Sequence, residues 1–467
     1  MITSKIRWQD IQQFDLEGAI SEYGFSTRLA YENKWSINFT KRAILEYKKF
    51  MFLAATSDTM VSPSEIVDIV WHQHLIFTKS YNDFAAILGK RIDHIPSTHH
   101  DGEKEKFGQA RKQTLAKYET EFGTPPNDIW LQHSFYDPLI KNKSTWSTNT
   151  LILVGLVVAC LFYFPLYTAL KPTIIQINNP SFIYGFIALL VITLVIFFGL
   201  TSAILSALAK KLYAQNFLKD LHPLEVIYMK KGSLVPIVHG ITNQLIKTSQ
   251  LEQTTVDNKL KRTKKQVTHA NPFEYCVYNA IKEKKTMEYA PIVRSLVKKP
   301  LFLQLSNFTE TINEQVVKTK SYLFLHILHF VVFSFFFLIG FIRLQTGVSR
   351  ERPVLFLLIL LMATITLYFL SLWQLDVFFT KRSIPQLYDE KFHTIKGSDA
   401  ASVSASNWGW RYFIYDELVL EKAFLPVIYY FDRRNMKDSA SSCGSGCGSS
   451  CGGGGGGCGG GCGGCGG

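Results

Sequence analysis

Cysteine is nearly missing from the body of this chain. Of its eight cysteines, six fall in the last 25 residues, which leaves Cys160 and Cys276 isolated. Two distant thiols cannot frame a disulfide-stapled fold, and the terminal six would stay reduced in a cytoplasmic compartment. The stretch Met1–Gly18 has no apolar run, so no cleavable signal peptide is expected. Residues 1–148 lack net charge, with 18 Lys/Arg against 18 Asp/Glu. No nucleic-acid-binding motif accompanies the overall charge of +13, so no nucleic-acid partner is expected. A repeated pattern of broken apolar helices and intramembrane acids is also missing, which argues against a transporter.

What the chain has is long apolar runs, in two pairs. Leu151–Leu170 and Ile183–Ala209 are split by a polar break at Lys171–Ser181, and Tyr322–Ile342 is followed by Val354–Trp373. Each reaches the roughly 20 residues a helix needs to cross about 30 Å of hydrocarbon. The reading is an all-α integral membrane protein of two transmembrane hairpins, residues 149–209 and 321–376, in contact with a lipid bilayer. Between them, Lys210–Lys320 carries 19 Lys/Arg against 9 Asp/Glu. This surplus places residues 210–320 in the cytoplasm by the positive-inside rule and suits them to anionic lipid headgroups. Four spans then put both termini in the cytoplasm, the membrane being the inner membrane of a bacterium. Lys141, Lys143, Lys381 and Arg382 agree, while Arg343, Arg350 and Arg352 in the outer loop oppose it mildly.

Residues 1–148 read as a compact helical domain. Ala43, Ile44, Tyr47, Phe50, Met51 and Ala54 recur at helical spacing, as do Phe107, Ala110, Thr114, Leu115, Tyr118 and Phe122. Gly123, Pro125 and Pro126 stop the second of these helices. The pattern Ser62-Pro63-Ser64-Glu65 predicts a helix capped by Ser62, with Pro63 in its first turn and Glu65 closing a capping box. That helix carries Trp71-His72-Gln73-His74. His72 and His74 are two apart, about 200° round the helix, so one helix cannot aim both at one ion. Asp68 and His72 are four apart and share a face. With His94 they form a carboxylate and two imidazoles, a set that could ligate zinc or copper. Alternatively Asp68 orients His72 as a base, or the group is a buried Asp–His hydrogen bond that locks the helix into its core.

The segments Tyr23–Ala30, Glu32–Ser36, Glu46–Phe50 and Ser62–Tyr81, with the Val-Asp-x-Val-Trp-His-x-His-Leu core, His94, Pro96, Glu103–Phe107, Thr114–Tyr118 and Phe122-Gly123, carry a resemblance. Over Ala19–Trp130 the chain resembles the N-terminal domain of bacterial and plant glycine-rich domain-containing proteins. Where relatives tend to have paired histidines before the proline, this chain has Asp93-His94. The resemblance implies a domain and brings no activity. Leu221-His222-Pro223-Leu224-Glu225 with Lys231-Gly232 resembles a second family, bacterial membrane proteins that end in Gly/Cys-rich tails.

His326 and His329 lie three apart near the cytoplasmic end of the third span, and Asp376 at the end of the fourth should sit at similar height. Ionisable groups at membrane depth are functional candidates, or else side chains snorkelling at the interface. In the basic middle region His222 reads as a weak helix cap and Gln253–His269 as a loop. Residues 377–438 are aromatic-rich, with Arg411–Phe431 read as an amphipathic or strand-like cytoplasmic segment. Residues 439–467 form a Gly/Cys-rich tail that cannot bury a core and should be disordered alone. Its thiols, Cys443, Cys447, Cys451, Cys458, Cys462 and Cys465, could converge on Zn or Cu(I) or be modified by a partner protein. The function expected is a membrane-bound binding or scaffold protein handling metal or thiol chemistry. A metal-dependent enzyme centred on Asp68, His72 and His94, or a purely structural interaction module, is the alternative.

Overall fold

The computed structural model describes residues 7–18, 21–95, 101–146, 148–254, 259–267, 271–283, 285–394 and 407–442. It is mostly helical. Among the described residues four helices are long and apolar enough to cross a membrane: Leu153–Gln176, Asn179–Ala214, Lys320–Ser349 and Leu355–Phe392. They outrun the apolar stretches because polar residues at both ends keep helical backbone. The expected break at Lys171–Ser181 shrinks to Ile177 and Asn178. Pro165 and Pro172 both sit inside the first membrane helix. The fourth does not stop at Trp373; it continues through a π turn at Phe379–Ser383 into Ile384–Thr394.

Two apolar cores divide the molecule. In the first, the soluble parts before, between and after the membrane hairpins share one cluster, from Ile11 and Phe25 through Phe308 to Phe431. Phe135 joins head to middle by packing on Phe217 (4.8 Å) and Phe308 (6.0 Å). The second cluster lies among the membrane helices and is dominated by Phe182, Phe186, Phe333 and Phe336. The entries to the first and third membrane helices meet: Ser144 N–H donates to Lys318 O (2.8 Å) and Lys320 N–H to Asn142 O (3.0 Å). Lys211, in the last turn of the second membrane helix, reaches Asn142 Oδ1 (2.9 Å). Three helix ends and the soluble body therefore converge at one end of the bundle.

Glu225 shows how the head is tied down. The Pro223–Lys231 helix has a complete capping box, in which His222 Nδ1 accepts from Leu224 N–H and Glu225 Oε2 from His222 N–H (2.7 Å). The imidazole predicted to be a weak cap is thus a full one, because Glu225 reciprocates. Its other oxygen accepts from Ile37 N–H (2.7 Å), at the start of the Ile37–Thr56 helix in the head. One buried carboxylate serves two helix N-termini. Burial pushes its pKa up to about 8, against the pull of the two backbone donors.

Two other expectations change. Gln253–His269 is not all loop: Leu251–Thr254 and Lys259–Arg262 pair antiparallel, and Met287–Glu288 adds a third strand. The alternation that buries Leu251 and Leu260 was hidden by the basic residues on the solvent side. Arg411–Phe431, expected to be amphipathic or strand-like, is helical, with helices Trp408–Tyr415 and Leu425–Ser442. Tyr412, Phe413, Phe424 and Phe431 are buried in the shared core, while Tyr415, Tyr429 and Tyr430 stay about half-exposed.

Candidate metal centre

The helix carrying the Trp-His-x-His sequence is Glu65–Ile76. Its cap is Ser64, whose hydroxyl accepts from Val67 N–H (3.2 Å). The prediction of a Ser62 cap with a Glu65 capping box is therefore displaced by two residues. Ser62 N–H is taken by Thr114 Oγ1 (2.9 Å), and Glu65 is bound by His133 instead.

From this helix Asp68 and His72 project on one face, with His72 Nε2 3.3 Å from Asp68 Oδ2. His94, from the chain after the following helix, brings its Nε2 to 2.9 Å from Asp68 Oδ1. One carboxylate thus holds two imidazoles, one on each oxygen. The ligand atoms of all three residues lie within 4.8 Å of one another. His94 is mostly covered, with 16% of its side chain exposed, while His72 is open at 58%.

The position of His94 is fixed by residues that periodicity alone does not single out. Trp71 stands edge-on to His94 at 4.7 Å. Trp71 Nε1–H donates to Tyr81 Oη (3.1 Å), and the Tyr81 hydroxyl donates to Ile92 O, two residues before His94. This relay holds the segment Arg91–Ile95 against the helix. Tyr81 is buried, with 4% of its surface exposed, in a run that carries only a resemblance; its signal is an aromatic ten residues after Trp71, with no periodicity to connect them.

His74 does something else, as the spacing argument requires. It is fully buried, with Nδ1 against Tyr47 Oη (2.8 Å) and Nε2 against Ser80 Oγ (3.1 Å). Burial, helped by Lys48, pulls its pKa down to about 4, so it is a neutral core residue. In the bundle of long apolar helices, His326 Nε2 lies 3.6 Å from Asp376 Oδ1, beyond hydrogen-bond length. His329 turns away and stacks on Phe197 at 4.3 Å. The tail thiols Cys443, Cys447, Cys451, Cys458, Cys462 and Cys465, like His99 and His100, lie outside the described residues.

Three comparisons bear on this site. No family model matches the chain, and no solved structure matches it. The chain is 24% identical over 147 residues to glycine-rich domain-containing protein 1 of Arabidopsis thaliana. That alignment covers 30% of this chain and 18% of the plant protein, so the chain spans under a fifth of that relative's length.

Proposed function

We propose that this chain is a membrane-anchored metal-binding protein whose centre is Asp68, His72 and His94. The observation that carries this reading is the convergence of two imidazole Nε2 atoms on the two oxygens of one carboxylate. Ligands held about 2.0–2.2 Å from a common zinc ion sit roughly 3.3 Å apart, close to the spacing here. An ion entering the group would take the place of the imidazole–carboxylate contacts. Two nitrogens and one oxygen suit zinc or copper. Trp71 and Tyr81 supply the outer support that keeps a ligand set oriented.

The exposed flank of His72 favours a second reading. A three-ligand site with an open side is the form catalytic zinc takes, so the same residues could serve a metal-dependent enzyme. In both readings the membrane helices anchor the head, which with the tail faces the cytoplasm at a bacterial inner membrane. The basic surplus of Lys210–Lys320 supports that orientation. The tail thiols would deliver or store a soft ion, or be modified by a protein partner.

The test is metal content of the full chain, with the tail as a control. Zinc is measured by mass spectrometry on wild type, His72→Ala, His94→Ala and a chain lacking Ser442–Gly467. The proposal expects one equivalent lost in each histidine variant and retained in the truncation. Unchanged zinc in both histidine variants would overturn it.

A further inference from the structure

Among the described residues, Leu418 is the most exposed large apolar side chain. It is 88% exposed, more than Phe356 in the fourth membrane helix at 78%. A single exposed leucine is ordinary on a soluble surface. What sets this one apart is its place in the fold and the way it is held.

Two rows of contacts give the place. The fourth membrane helix runs on through Phe379–Ser383 into Ile384–Thr394, so Lys381 lies nearer the bilayer than Tyr388 and Phe392. The Pro223–Lys231 helix lies antiparallel to this extension. Leu221 N–H, just before its start, donates to Tyr388 Oη (2.9 Å). Gly232, just past its end, abuts the Lys381 side chain: a Cβ added there would stand 3.4 Å from Lys381 Cε. The Trp408–Tyr415 helix runs the same way. Trp410 packs on Tyr388 (5.4 Å) and Phe392 (4.9 Å), while Asp416, one residue past its end, pairs with Lys231. Both helices climb toward the membrane, and the 3₁₀ turn Asp416–Val419 that carries Leu418 lies at the bilayer end of the soluble body.

That level is close to the lipid. Lys381 stands about 7.5 Å beyond Asp376 along the helix, and headgroups extend roughly 5–7 Å beyond the hydrocarbon on each face. Beside it the Arg382 guanidinium lies over Phe198 (5.0 Å) and Phe378 (5.7 Å), rings of the second and fourth membrane helices. The turn is also pinned at both ends. Asp416 has a φ of 51°, rare for a residue with a side chain, and its carboxylate is bound by Lys231. Lys230 Nζ donates to Phe413 O (2.9 Å) before the turn, and Glu421 N–H to Asn243 Oδ1 (2.7 Å) after it. Leu418 is therefore presented on a fixed loop, with half-exposed Tyr415 beside it.

We propose that the Asp416–Val419 turn dips into the headgroup layer on the side of the soluble body. Leu418 is its apolar wedge, and Tyr415 sits at headgroup level, where amphipathic rings collect. Charge does not drive the contact, because Asp416 is matched by Lys231 and Glu417 is an exposed acid. The partner is the apolar edge of the bilayer and not an anionic headgroup. The proposal rests on the reading that the four long apolar helices span a bilayer, which the experiment checks separately.

The experiment places the photo-crosslinking residue p-benzoylphenylalanine at Leu418, Trp373 or Ile76 of the full chain in phosphatidylcholine nanodiscs. Trp373 is 62% exposed in the fourth membrane helix, and Ile76 is 60% exposed in the head. After irradiation, lipid adducts are counted by mass spectrometry. The expected result is adducts at Leu418 and Trp373 alike, at least tenfold above those at Ile76. Adducts at Trp373 with only the Ile76 background at Leu418 sink the turn and leave the spanning helices intact. Background at both positions sinks the spanning reading and the proposal with it. Crosslinks from Leu418 to protein in place of lipid overturn the proposal as well.

Discussion

The head and the membrane bundle each hold two imidazoles and a carboxylate, and they use them differently. In both, two of the three lie one helical turn apart: Asp68 with His72, and His326 with His329. In the head, a separate segment carries His94 to the free oxygen of Asp68 at 2.9 Å, held by the Trp71–Tyr81–Ile92 relay. In the bundle each histidine ring Nδ1 bonds the carbonyl four residues back on its own helix, Tyr322 O and Leu325 O, at 2.8 Å each. Neither ring reaches Asp376 within hydrogen-bond length. Helical spacing brings two donors together; a third anchored from outside the helix is what makes them converge.

The largest effect that sharpens this contrast is on metal affinity. Asp68→Ala or His94→Ala should weaken zinc at the head by at least about 100-fold, roughly 2.7 kcal/mol. His326→Ala and Asp376→Asn should leave that affinity at the wild-type value. A competition titration with a chromophoric chelator measures both. If the membrane variants lost zinc to the same degree, the contrast would be wrong.

A second variant separates the stability of the head from its ligand chemistry. Glu225→Gln keeps the shape of a carboxylate that serves two backbone donors, yet sets an amide N–H₂ against one of them. Leaving one buried donor unmatched costs about 1–3 kcal/mol. The melting temperature of the full chain should fall, and zinc affinity should not. A parallel loss of zinc would mean that the Ile37–Glu225 joint shapes the centre.

A histidine outside both clusters sets the scale for an imidazole with no carboxylate at all. His239 is buried, with Nδ1 against Tyr289 Oη (2.6 Å), and burial pulls its pKa down from 6.5 to about 4. The folded value lies below the unfolded one. Its contribution is therefore complete above pH 6.5 and drains away as pH falls toward 4. Between pH 7 and pH 5 the loss should be about 2 kcal/mol, at 1.36 kcal/mol per pKa unit. Thermal melts across that range, on wild type and His239→Phe, read it; an equal slope in the variant would assign the loss elsewhere.

Much of this arrangement is legible in the sequence. The four long apolar helices follow from apolar length, two helices of the head from Ala43–Ala54 and Phe107–Phe122, and the separation of His72 from His74 from two residues of helical rotation. The grouping of Asp68 with His72 follows from the same geometry. What stays hidden depends on chain paths that periodicity does not report. The Ser64 cap competes with Ser62 two residues away, and only the tertiary bond from Ser62 N–H to Thr114 decides between them. Glu225 looks like an ordinary first-turn acid, because its bond to Ile37 spans 188 residues. The β hairpin near residues 251–262 is masked by lysines on its solvent face.

The smallest effect belongs to the pair that sequence spacing made most suggestive. Asp376 is half-exposed, and its Oδ1 has no hydrogen-bond partner, His326 Nε2 standing off at 3.6 Å. The pair is part-covered, with His326 14% and Asp376 50% exposed, but it stands out of hydrogen-bond reach, and loose ion pairs at a surface contribute about 0–1 kcal/mol, less as salt rises. His326 is already tied to Tyr322 O, so it loses little when the carboxylate goes. Asp376→Asn should therefore move the melting temperature by less than the equivalent of about 1 kcal/mol, at low and high salt alike. A shift much larger than that, or one that salt abolishes, would mean the charge at the foot of the fourth membrane helix holds the hairpins together. The bundle would then share with the head the convergence that its geometry argues against.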